Sequence, residues 1–239
     1  MHAPYGMDLV EDCKGCAMRK KSFFCQLSPC ALQTLTNAKF TSSYPAEAVL
    51  FVEGQAPRGV YMLCKGRVKL TMSSADGKTL IVRICEAGEL LGLNAALSGE
   101  PYECTAEALQ PCQVNFVRRD DFLKILRDYP EACIAAMKQL STGCRQAFQE
   151  IRYLGLSRSA SEKVAQFLLE TSANAQQTEQ GKRFHLGLTH EEISQIVGIS
   201  RETVTRTMTE FKSKSLIATK GATVFIRNES ALRAQAAAA

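Results

Sequence analysis

The spacing of apolar residues separates a stretch with strand periodicity from a later stretch with helix periodicity. From Ala46 to Val117, short apolar runs are broken by polar residues and glycine: AVLFVEG, GVYMLCKGRVKLTM, LIVRICEAGELLG and CQVNFV. Such runs predict strands of about 4–7 residues, and Asp76-Gly77 is a hairpin signal. Many short strands at regular spacing predict an antiparallel sandwich or barrel.

Helical periodicity begins at Arg118. The segment RRDDFLKILRDYP predicts a short helix that stops near Pro130, and residues 131–156 predict a helix of roughly 25 residues, against a mean of about 11–12. Steps of three and four are typical of a coiled-coil-like seam and favour a dimer interface, although a helix packed on its own β-domain would also need an apolar stripe. The stripe consists of Ile134, Met137, Leu140, Cys144, Phe148, Ile151 and Leu154.

Shorter elements flank these two regions. SPCALQTL predicts a short helix before the strands. After the long helix, Ser161 is predicted to cap the helix EKVAQFLLE, followed by a polar loop, TSANAQQTEQGKR, and a short strand, FHLGL. LIATKGATVFIRN predicts a hairpin that turns at Lys220-Gly221, and the alanine-rich tail from Ala234 is expected to fray.

The segment LTHEEISQIVGISRETVTRTMTEFKSKSLI predicts two helices joined by a tight turn. Gly198 suits the turn and Ser200 suits the cap of the second helix. In that second helix the residues expected to face the core are Val204, Met208 and Phe211. The positions expected to contact DNA are Arg201, Glu202, Thr205 and Arg206, together with Ser200 and Thr203 at the start of the helix.

This arrangement predicts a helix-turn-helix that reads DNA, because the N-terminal residues of the second helix reach base edges in the major groove. Arginine can bind guanine O6 and N7 in a fork, and glutamate can accept from cytosine N4. An enzyme is not expected: His2, His185 and His190 have no nucleophile–base spacing, and no glycine-rich phosphate loop occurs.

Composition and charge describe a soluble globular chain. The 239 residues are 46% hydrophobic and 22% charged, which is enough for a buried core and predicts two domains. No charged segment followed by an apolar stretch opens the chain, and no apolar run approaches the ~18 residues of a membrane span. We therefore expect a cytoplasmic protein with no membrane partner. The net charge of +5 permits binding to a polyanion without requiring it.

Ten cysteines are present, and four of them cluster near the N-terminus. A reducing cytosol disfavours structural disulfides, so the cluster indicates metal binding or redox sensing. A Cys-x2-Cys pair can place two thiolates on one metal, and four thiolates satisfy either zinc or an iron–sulfur cluster. The spacing is Cys13-x2-Cys16-x8-Cys25-x4-Cys30. Three of the other six are interpreted as small buried residues: Cys64, Cys133 and Cys144.

EISQIVGISRETVTR, with the strand region and long helix before it, resembles the cyclic-AMP receptor and fumarate–nitrate regulator (Crp/Fnr) family of bacterial transcription factors. The resemblance covers nearly the whole chain from about Leu32. It implies a homodimer through helix 131–156, with double-stranded DNA and RNA polymerase as partners. Arg201, Glu202 and Arg206 match the family's base-reading residues. This match implies a TGTGA-type half-site in an inverted repeat whose centres lie about one helical turn apart.

The family's nucleotide-binding members hold the ribose with a glutamate in the GELLG segment and the phosphate with an Arg-Ser pair. This chain has Leu93 at the first place and Glu103-Cys104 at the second. A carboxylate in place of the cation would repel a phosphate. Cyclic AMP is therefore not the expected effector.

GELLGLNAALSGEPYECTAEAL instead resembles the oxygen-sensing branch, whose members carry an N-terminal cysteine cluster and a fourth cysteine in the β-roll. The resemblance implies an iron–sulfur cofactor, a 4Fe-4S cluster, held by Cys13, Cys16 and Cys25. The gap before Cys25 is three residues longer than in that branch.

The fourth ligand is open at the level of sequence. The family position falls on Asn115, which is a poor cluster ligand. Cys112 is the nearby candidate, although an offset of three puts it on the other face of an ideal strand. Cys30 is the alternative, and Cys85 and Cys104 are further candidates.

The predicted fold class is α+β: an N-terminal antiparallel β-roll, a long dimerisation helix and a C-terminal winged helix-turn-helix. The expected domains are a cysteine-rich sensory segment (1–31), a β-roll effector domain (32–130), the dimerisation helix (131–156) and the DNA-binding domain (157–239). The expected function is a regulator that senses oxygen, redox state or nitric oxide. Zinc, a thiol–disulfide switch, and a haem or small organic effector stay open as alternatives.

Overall fold

The computed structural model describes residues 4–7, 9, 13, 16, 22, 24–156, 159–173 and 175–236. The chain divides into two compact units, Met1–Gln146 and Ala147–Ala239. The division falls inside the long helix, whereas the sequence suggested boundaries at either end of it; those boundaries stay predictions. No helix among the described residues is long and apolar enough to cross a membrane.

The N-terminal unit is built from a capped helix followed by two antiparallel sheets. Helix α1 (Pro29–Ala38) begins after Ser28, whose hydroxyl accepts from the backbone N–H of Ala31. The strands are β1 (Lys39–Tyr44), β2 (Val49–Phe51), β3 (Gly59–Lys65), β4 (Arg67–Ser73), β5 (Thr79–Glu86), β6 (Leu90–Leu91), β7 (Thr105–Ala108) and β8 (Cys112–Arg118), with helix α2 (Leu93–Ser98) after β6. Their orders are β1-β8-β3-β6 and β2-β7-β4-β5. The predicted β-roll is therefore confirmed.

Alternation along β3 divides its side chains between two cores, as expected when successive residues point to opposite faces of a sheet. Tyr61 and Leu63 are buried among residues of the other sheet, while Val60 and Met62 are buried among residues of the helices. The predicted hairpin at Asp76-Gly77 joins β4 to β5, and Gly77 has the positive φ, 82°, that such a turn requires.

Two helices follow the sheets: α3 (Arg119–Asp128) and α4 (Pro130–Leu156). α4 packs through small residues, with Ala132, Ala135 and Ala136 all buried in the helix-side core. The side chain of Gln139 forms hydrogen bonds with the edge strand β6. Its amide oxygen accepts from the Leu90 N–H at 3.2 Å, and its amide nitrogen donates to the Leu90 carbonyl at 2.5 Å.

The seam predicted on α4 is exposed except at one position. Leu140 packs against the unit's own core, because it lies on the same face as Ala136. Leu154 lies outside the residues whose side chains the structure describes. The exposed residues on this side of α4 still recur at steps of three and four when Ser141 is counted in place of Leu140. Its apolar members are Ile134, Met137, Cys144, Phe148 and Ile151.

In its described part the C-terminal unit combines the end of α4 and further helices with a four-stranded sheet of order β11-β12-β10-β9. The elements are α5 (Ala160–Thr171), β9 (Gln176–Thr178), β10 (Gly181–His185), α6 (His190–Val197), α7 (Arg201–Ser213), β11 (Ile217–Lys220), β12 (Thr223–Ile226) and α8 (Glu229–Ala236). The predicted hairpin at Lys220-Gly221 joins β11 to β12. The predicted winged helix-turn-helix is therefore confirmed.

Several local predictions differ from the structure. The cap of α5 is Ser159, not Ser161, because its hydroxyl accepts from the Glu162 N–H at 3.1 Å. The segment read as a polar loop contains β9, and the alanine-rich tail forms α8 up to Ala236. β1 was missed because its side chains are largely exposed, so that its sequence lacks an apolar alternation.

Candidate functional site

Local hydrogen bonds cap the starts of both helices of the helix-turn-helix. α6 starts with a capping box: the Thr189 hydroxyl accepts from the Glu192 N–H at 3.1 Å, and the Glu192 carboxylate accepts from the Thr189 N–H at 2.8 Å. Gly198 ends α6 with a left-handed φ of 65°. Ile193 and Val197 bury the inner face of α6.

Ser200 and Thr203 form the cap of α7. The Ser200 hydroxyl accepts from the Thr203 N–H at 3.2 Å and lies 3.0 Å from the Thr203 hydroxyl. Thr203 is half-buried. Both residues were expected to contact DNA, which stays a prediction; in the structure the Ser200 hydroxyl satisfies a backbone N–H at the start of the helix, and the Thr203 hydroxyl contacts that of Ser200.

The outer face of α7 is polar and exposed over its first three turns. The core-facing residues Val204, Met208 and Phe211 are buried as expected, and Thr207 is buried with them. The exposed residues are Arg201, Glu202, Thr205, Arg206 and Thr209. This face offers guanidinium donors and a carboxylate acceptor, the groups that can pair with guanine and cytosine edges.

The pKa of Glu202 lies below its usual value, because its own backbone N–H and the Ser200 hydroxyl donate to the carboxylate. Arg201 adds a smaller effect of the same sign. The side chain is therefore charged at neutral pH and acts as an acceptor only.

His190 joins α6 to α7, a role that the sequence did not indicate. Its Nδ1 lies 2.9 Å from the Thr205 hydroxyl, which also donates to the Arg201 carbonyl at 3.0 Å. Burial, followed by the charges of Lys212 and Arg201, lowers the pKa of His190, so that the ring is neutral at pH 7. Thr205 is thus both exposed on the outer face and bonded to the first helix.

A second candidate site is a cavity in the N-terminal unit that is lined by four cysteines: Cys13, Cys16, Cys25 and Cys64. Its apolar wall includes Phe24, Met62 and Leu90, all buried. Three of the four thiols are the ones that the sequence assigned as ligands. The fourth, Cys64, was interpreted as a small core residue.

The position of Cys64 follows from an irregularity in the pairing of β3 with β8. Leu63 pairs with Val114, but Lys65 pairs with Gln113, so Cys64 is an extra residue on β3. Such a bulge re-aims the side chain that it carries. The Cys64 thiol lies 3.1 Å from the Asn115 amide nitrogen, which donates to it.

Strand β1 supplies two polar groups beside this cavity. Lys39 donates to the Cys13 sulfur at 3.3 Å. Thr41 donates to the amide oxygen of Asn115 at 2.8 Å. Since the oxygen of Asn115 faces Thr41, its NH2 group faces Cys64.

The two sequence candidates for a fourth ligand, Cys112 and Cys30, do not line this cavity, and both stay predictions. Cys112 is buried in the core between the two sheets, because a three-residue offset from Asn115 turns it to the opposite face of β8. Cys30 is exposed on α1, and its sulfur lies 3.5 Å from the hydroxyl of Tyr129. Cys85 lies in the same inter-sheet core as Cys112, and Cys104 packs against it.

The residues that could hold a metal cofactor at this cavity are its four cysteines. No three His, Cys, Asp or Glu side chains in the described part of the chain converge closely enough to hold one metal ion. The four thiolates of a four-iron cluster can lie farther apart than the ligands of a single metal ion, because each thiolate binds a different iron atom. The cavity volume is about 20 Å³, about the space of one water.

The ten cysteines, all of them described residues, form no disulfide in the structure. Burial raises the pKa of the Cys64 thiol to about 12, and the neighbouring Cys13 and Cys25 add to the effect. A thiol in that state is a poor nucleophile at neutral pH, so Cys64 is not suited to disulfide exchange.

The places that hold a nucleotide in other β-rolls carry no cation here. Leu93 is buried in the helix-side core. The Glu103 carboxylate is exposed and accepts from the amide of Asn94. The inter-sheet core beside it is aromatic, with the rings of Phe51 and Tyr102 stacked at 4.1 Å.

Comparisons with known proteins agree with both halves of the fold. The family model for the cyclic nucleotide-binding domain matches residues 41–129, and that for the Crp-like helix-turn-helix domain matches residues 162–235. The two matches together cover about two thirds of the chain. They span the β-roll and the candidate DNA-binding surface on α7.

Curated relatives match over most of their length. The cAMP-activated global transcriptional regulator CRP of Pasteurella multocida is 25% identical over 185 residues, 77% of this chain and 88% of that protein. The CRP-like cAMP-activated global transcriptional regulator of Mycobacterium tuberculosis is 24% identical over 220 residues, 92% of this chain and 98% of that protein.

A solved structure shows the same fold. FixK2 from Bradyrhizobium japonicum superposes with a TM-score of 0.73 at 24% identity, covering 84% of this chain and 98% of that chain. These relatives and this fold are those of transcriptional regulators and not of enzymes. The chain therefore belongs to the Crp/Fnr family and is a DNA-binding transcriptional regulator.

Proposed function

We propose that this regulator senses oxygen, redox state or nitric oxide through an iron–sulfur cluster, a 4Fe-4S cluster, bound at the four-cysteine cavity. The observation that carries the proposal is that Cys13, Cys16 and Cys25, from the N-terminal cysteine segment, line one cavity with a further thiol, Cys64. When bound, such a cluster supplies a centre that oxygen, peroxide or nitric oxide degrades.

The residues around the cavity have separate tasks in this proposal. The three N-terminal thiolates tie the segment before α1 to β3. Lys39 holds the Cys13 sulfur in place by donating a hydrogen bond to it at 3.3 Å. The buried side chains Phe24, Met62 and Leu90 limit access of water.

The signal would reach the DNA-binding unit through the dimer. Regulators of this family bind DNA as dimers, and α4 carries an exposed apolar stripe that includes Phe148 and Ile151. α4 also packs its alanines on the same core as α1, the helix that follows the cysteine segment. Ordering of the cysteine segment against β3 and α1 would favour the arrangement of α4 that binds DNA. This ordering can shift the equilibrium only if the contacts of the segment differ between the DNA-binding state and the other state.

The DNA site is proposed to be a TGTGA-like inverted repeat. Arg201, Glu202 and Arg206 are exposed on the outer face of α7, and they match the base-reading residues of the family. Each provides the donor or acceptor that its expected base edge requires. RNA polymerase is the expected partner at the promoter.

Cyclic AMP is not the proposed effector, although the relatives compared above are cAMP-activated. The position that contacts the ribose in nucleotide-binding members is occupied here by the buried Leu93. The position that contacts the phosphate is occupied by Glu103, which has a carboxylate. Burying a phosphate beside that carboxylate would cost free energy where other family members gain it.

The test is anaerobic purification of the full chain, followed by iron and acid-labile sulfide assays, a visible spectrum and DNA titrations before and after air. We expect iron and sulfide in similar amounts and tighter binding to a TGTGA inverted repeat before air than after it. A scrambled duplex of equal length, at several salt concentrations, separates base reading from phosphate attraction.

Two single variants sharpen this test. Cys16→Ser should lose both the cluster and the response to air, whereas Cys133→Ser, at an exposed position on α4, should keep both. A colourless, iron-free protein that binds the repeat equally with and without air would refute the proposal. Zinc without sulfide would refute the iron–sulfur assignment.

A further inference from the structure

We infer that Cys64, on the bulge of β3, is the fourth cluster ligand and that Asn115 and Thr41 orient and stabilise its thiolate. This inference rests on the proposed function, since it concerns the same cofactor. It places the fourth ligand on β3, next to the strand β8 that carries the sequence candidate Cys112.

The first argument is position. Cys64 lines the cavity with Cys13, Cys16 and Cys25, and the Cys112 and Cys30 thiols do not. The pairing of β3 with β8 puts Met62 opposite Asn115, and the bulge at the next pair turns Cys64 toward Asn115. The sulfur of Cys64 and the amide nitrogen of Asn115 are therefore only 3.1 Å apart.

This distance has a consequence for ligand placement. A thiol at position 115 and the thiol of Cys64 would reach nearly the same point of the cavity from adjacent strands. The chain thus has a sulfur close to the family's fourth-ligand place, although position 115 on β8 is an asparagine. The bulge is the local feature that makes the exchange possible.

The second argument is the hydrogen-bond chain behind the sulfur. Asn115 is buried, with 1% of its surface exposed, so its amide needs partners on both sides. Thr41 donates to its oxygen at 2.8 Å, and its NH2 group donates to the Cys64 sulfur. A donor held on a thiolate stabilises the charged form, and hydrogen bonds to cluster sulfurs adjust the reduction potential.

Asn115 and Thr41 are positioning residues in this account, because they act through Cys64. Thr41 is exposed, so Thr41→Val removes the donor with little change to the core. Loss of an outer hydrogen bond at a metal site typically costs 10–100-fold in affinity. We expect Thr41→Val to lose the visible absorption in air on the order of 10-fold faster than wild type, with a shifted reduction potential.

The main experiment compares cysteine variants of the anaerobically purified full chain by iron, acid-labile sulfide and visible spectrum. Cys64→Ser should lose most of the iron and sulfide. The matched controls Cys112→Ser and Cys30→Ser should retain wild-type amounts. Circular dichroism and thermal unfolding of the metal-free proteins verify that each variant folds.

A ligand swap tests the geometry without relying on a loss. The double variant Cys64→Ser with Asn115→Cys should regain iron and sulfide, because its new thiol reaches the same place from β8. If Cys64→Ser folds and keeps a wild-type cluster, Cys64 is not the ligand. If Thr41→Val decays at the wild-type rate with an unchanged potential, the positioning role of Asn115 and Thr41 is refuted.

The outcomes separate this inference from the proposed function. Wild-type protein that holds neither iron nor sulfide after anaerobic purification overturns both. Wild-type protein with a cluster that is insensitive to Cys64→Ser but lost in Cys112→Ser overturns only the fourth ligand, and the sensor assignment stands.

Discussion

Removal of the Phe148 ring should weaken the dimer that α4 is proposed to form. Phe148 is 67% exposed in the single chain, although its ring is apolar. A phenylalanine side chain can bury on the order of 200 Å², so a partner helix would remove roughly 130 Å² of Phe148 from water. At about 25 cal/mol per Å² this corresponds to about 3 kcal/mol for each protomer.

Symmetry and association costs then set the expected change. A two-fold dimer contains the contact twice, which gives about 6 kcal/mol. The loss in Phe148→Ala should be smaller than this burial term, because alanine keeps the β-carbon and because ordering the ring in the dimer costs free energy. We therefore take half of the burial term, about 3 kcal/mol, as the loss of dimer stability. The Kd of the dimer should therefore rise about 100-fold in Phe148→Ala.

The assay is sedimentation equilibrium over a concentration series, with circular dichroism to verify folding. Phe40→Ala is the matched control, because Phe40 is a 51% exposed phenylalanine on β1 and not on α4. The reasoning is refuted if Phe148→Ala has the wild-type Kd. It is also refuted if Phe40→Ala weakens the dimer equally, because the loss would then not be specific to α4.

Three further predictions follow from the described residues. Arg206→Ala should lower discrimination at one base pair of the half-site by about 1–3 kcal/mol, measured by titration of single-base variants. Ser200→Ala should lower the free energy of unfolding by about 0.5–2 kcal/mol in urea, because the Thr203 N–H loses its acceptor. At pH 8, Cys112 should alkylate at least about 100-fold more slowly than Cys133, because burial raises its pKa from 9.0 to about 11 and lowers the thiolate fraction accordingly.

Each of these has an outcome that contradicts it. Equal weakening of Arg206→Ala on all sequences, with a smaller salt dependence, would mark a phosphate contact. Ser200→Asp keeps an acceptor at the cap and should remain near wild type; a loss equal to that of Ser200→Ala would exclude capping as the cause. The folded protein is alkylated, and the labelled cysteines are quantified by mass spectrometry. Alkylation of Cys112 at the rate of Cys133 would show that Cys112 is not buried.

The helix-turn-helix was predictable in detail because its signals are local. Gly198 ends one helix and Ser200 caps the next, and the apolar positions Val204 and Phe211 recur at helical spacing. Such signals act within a few residues of the chain. The link between His190 and Thr205 was not predictable, because it depends on how the two helices meet.

The strands were predictable where one side of the strand is apolar. β1 was not, because none of its side chains is buried and its place is set by backbone pairing with β8. This omission also hid Lys39 and Thr41, which lie on β1 beside the cysteine cavity. The seam on α4 was assigned correctly in period but not at Leu140, because only packing shows which side of the stripe the core covers.

Local sequence alone determines the β-roll strands that have apolar runs, the long helix α4 and helix α7, since apolar spacing, caps and turns are properties of neighbouring residues. The resemblance to the oxygen-sensing branch singles out Cys13, Cys16 and Cys25 as candidate ligands. Only the tertiary structure decides their partner. Cys64 meets them because a bulge and an antiparallel register bring β3 beside β8, and a register joins residues about fifty positions apart in the chain that no local pattern connects.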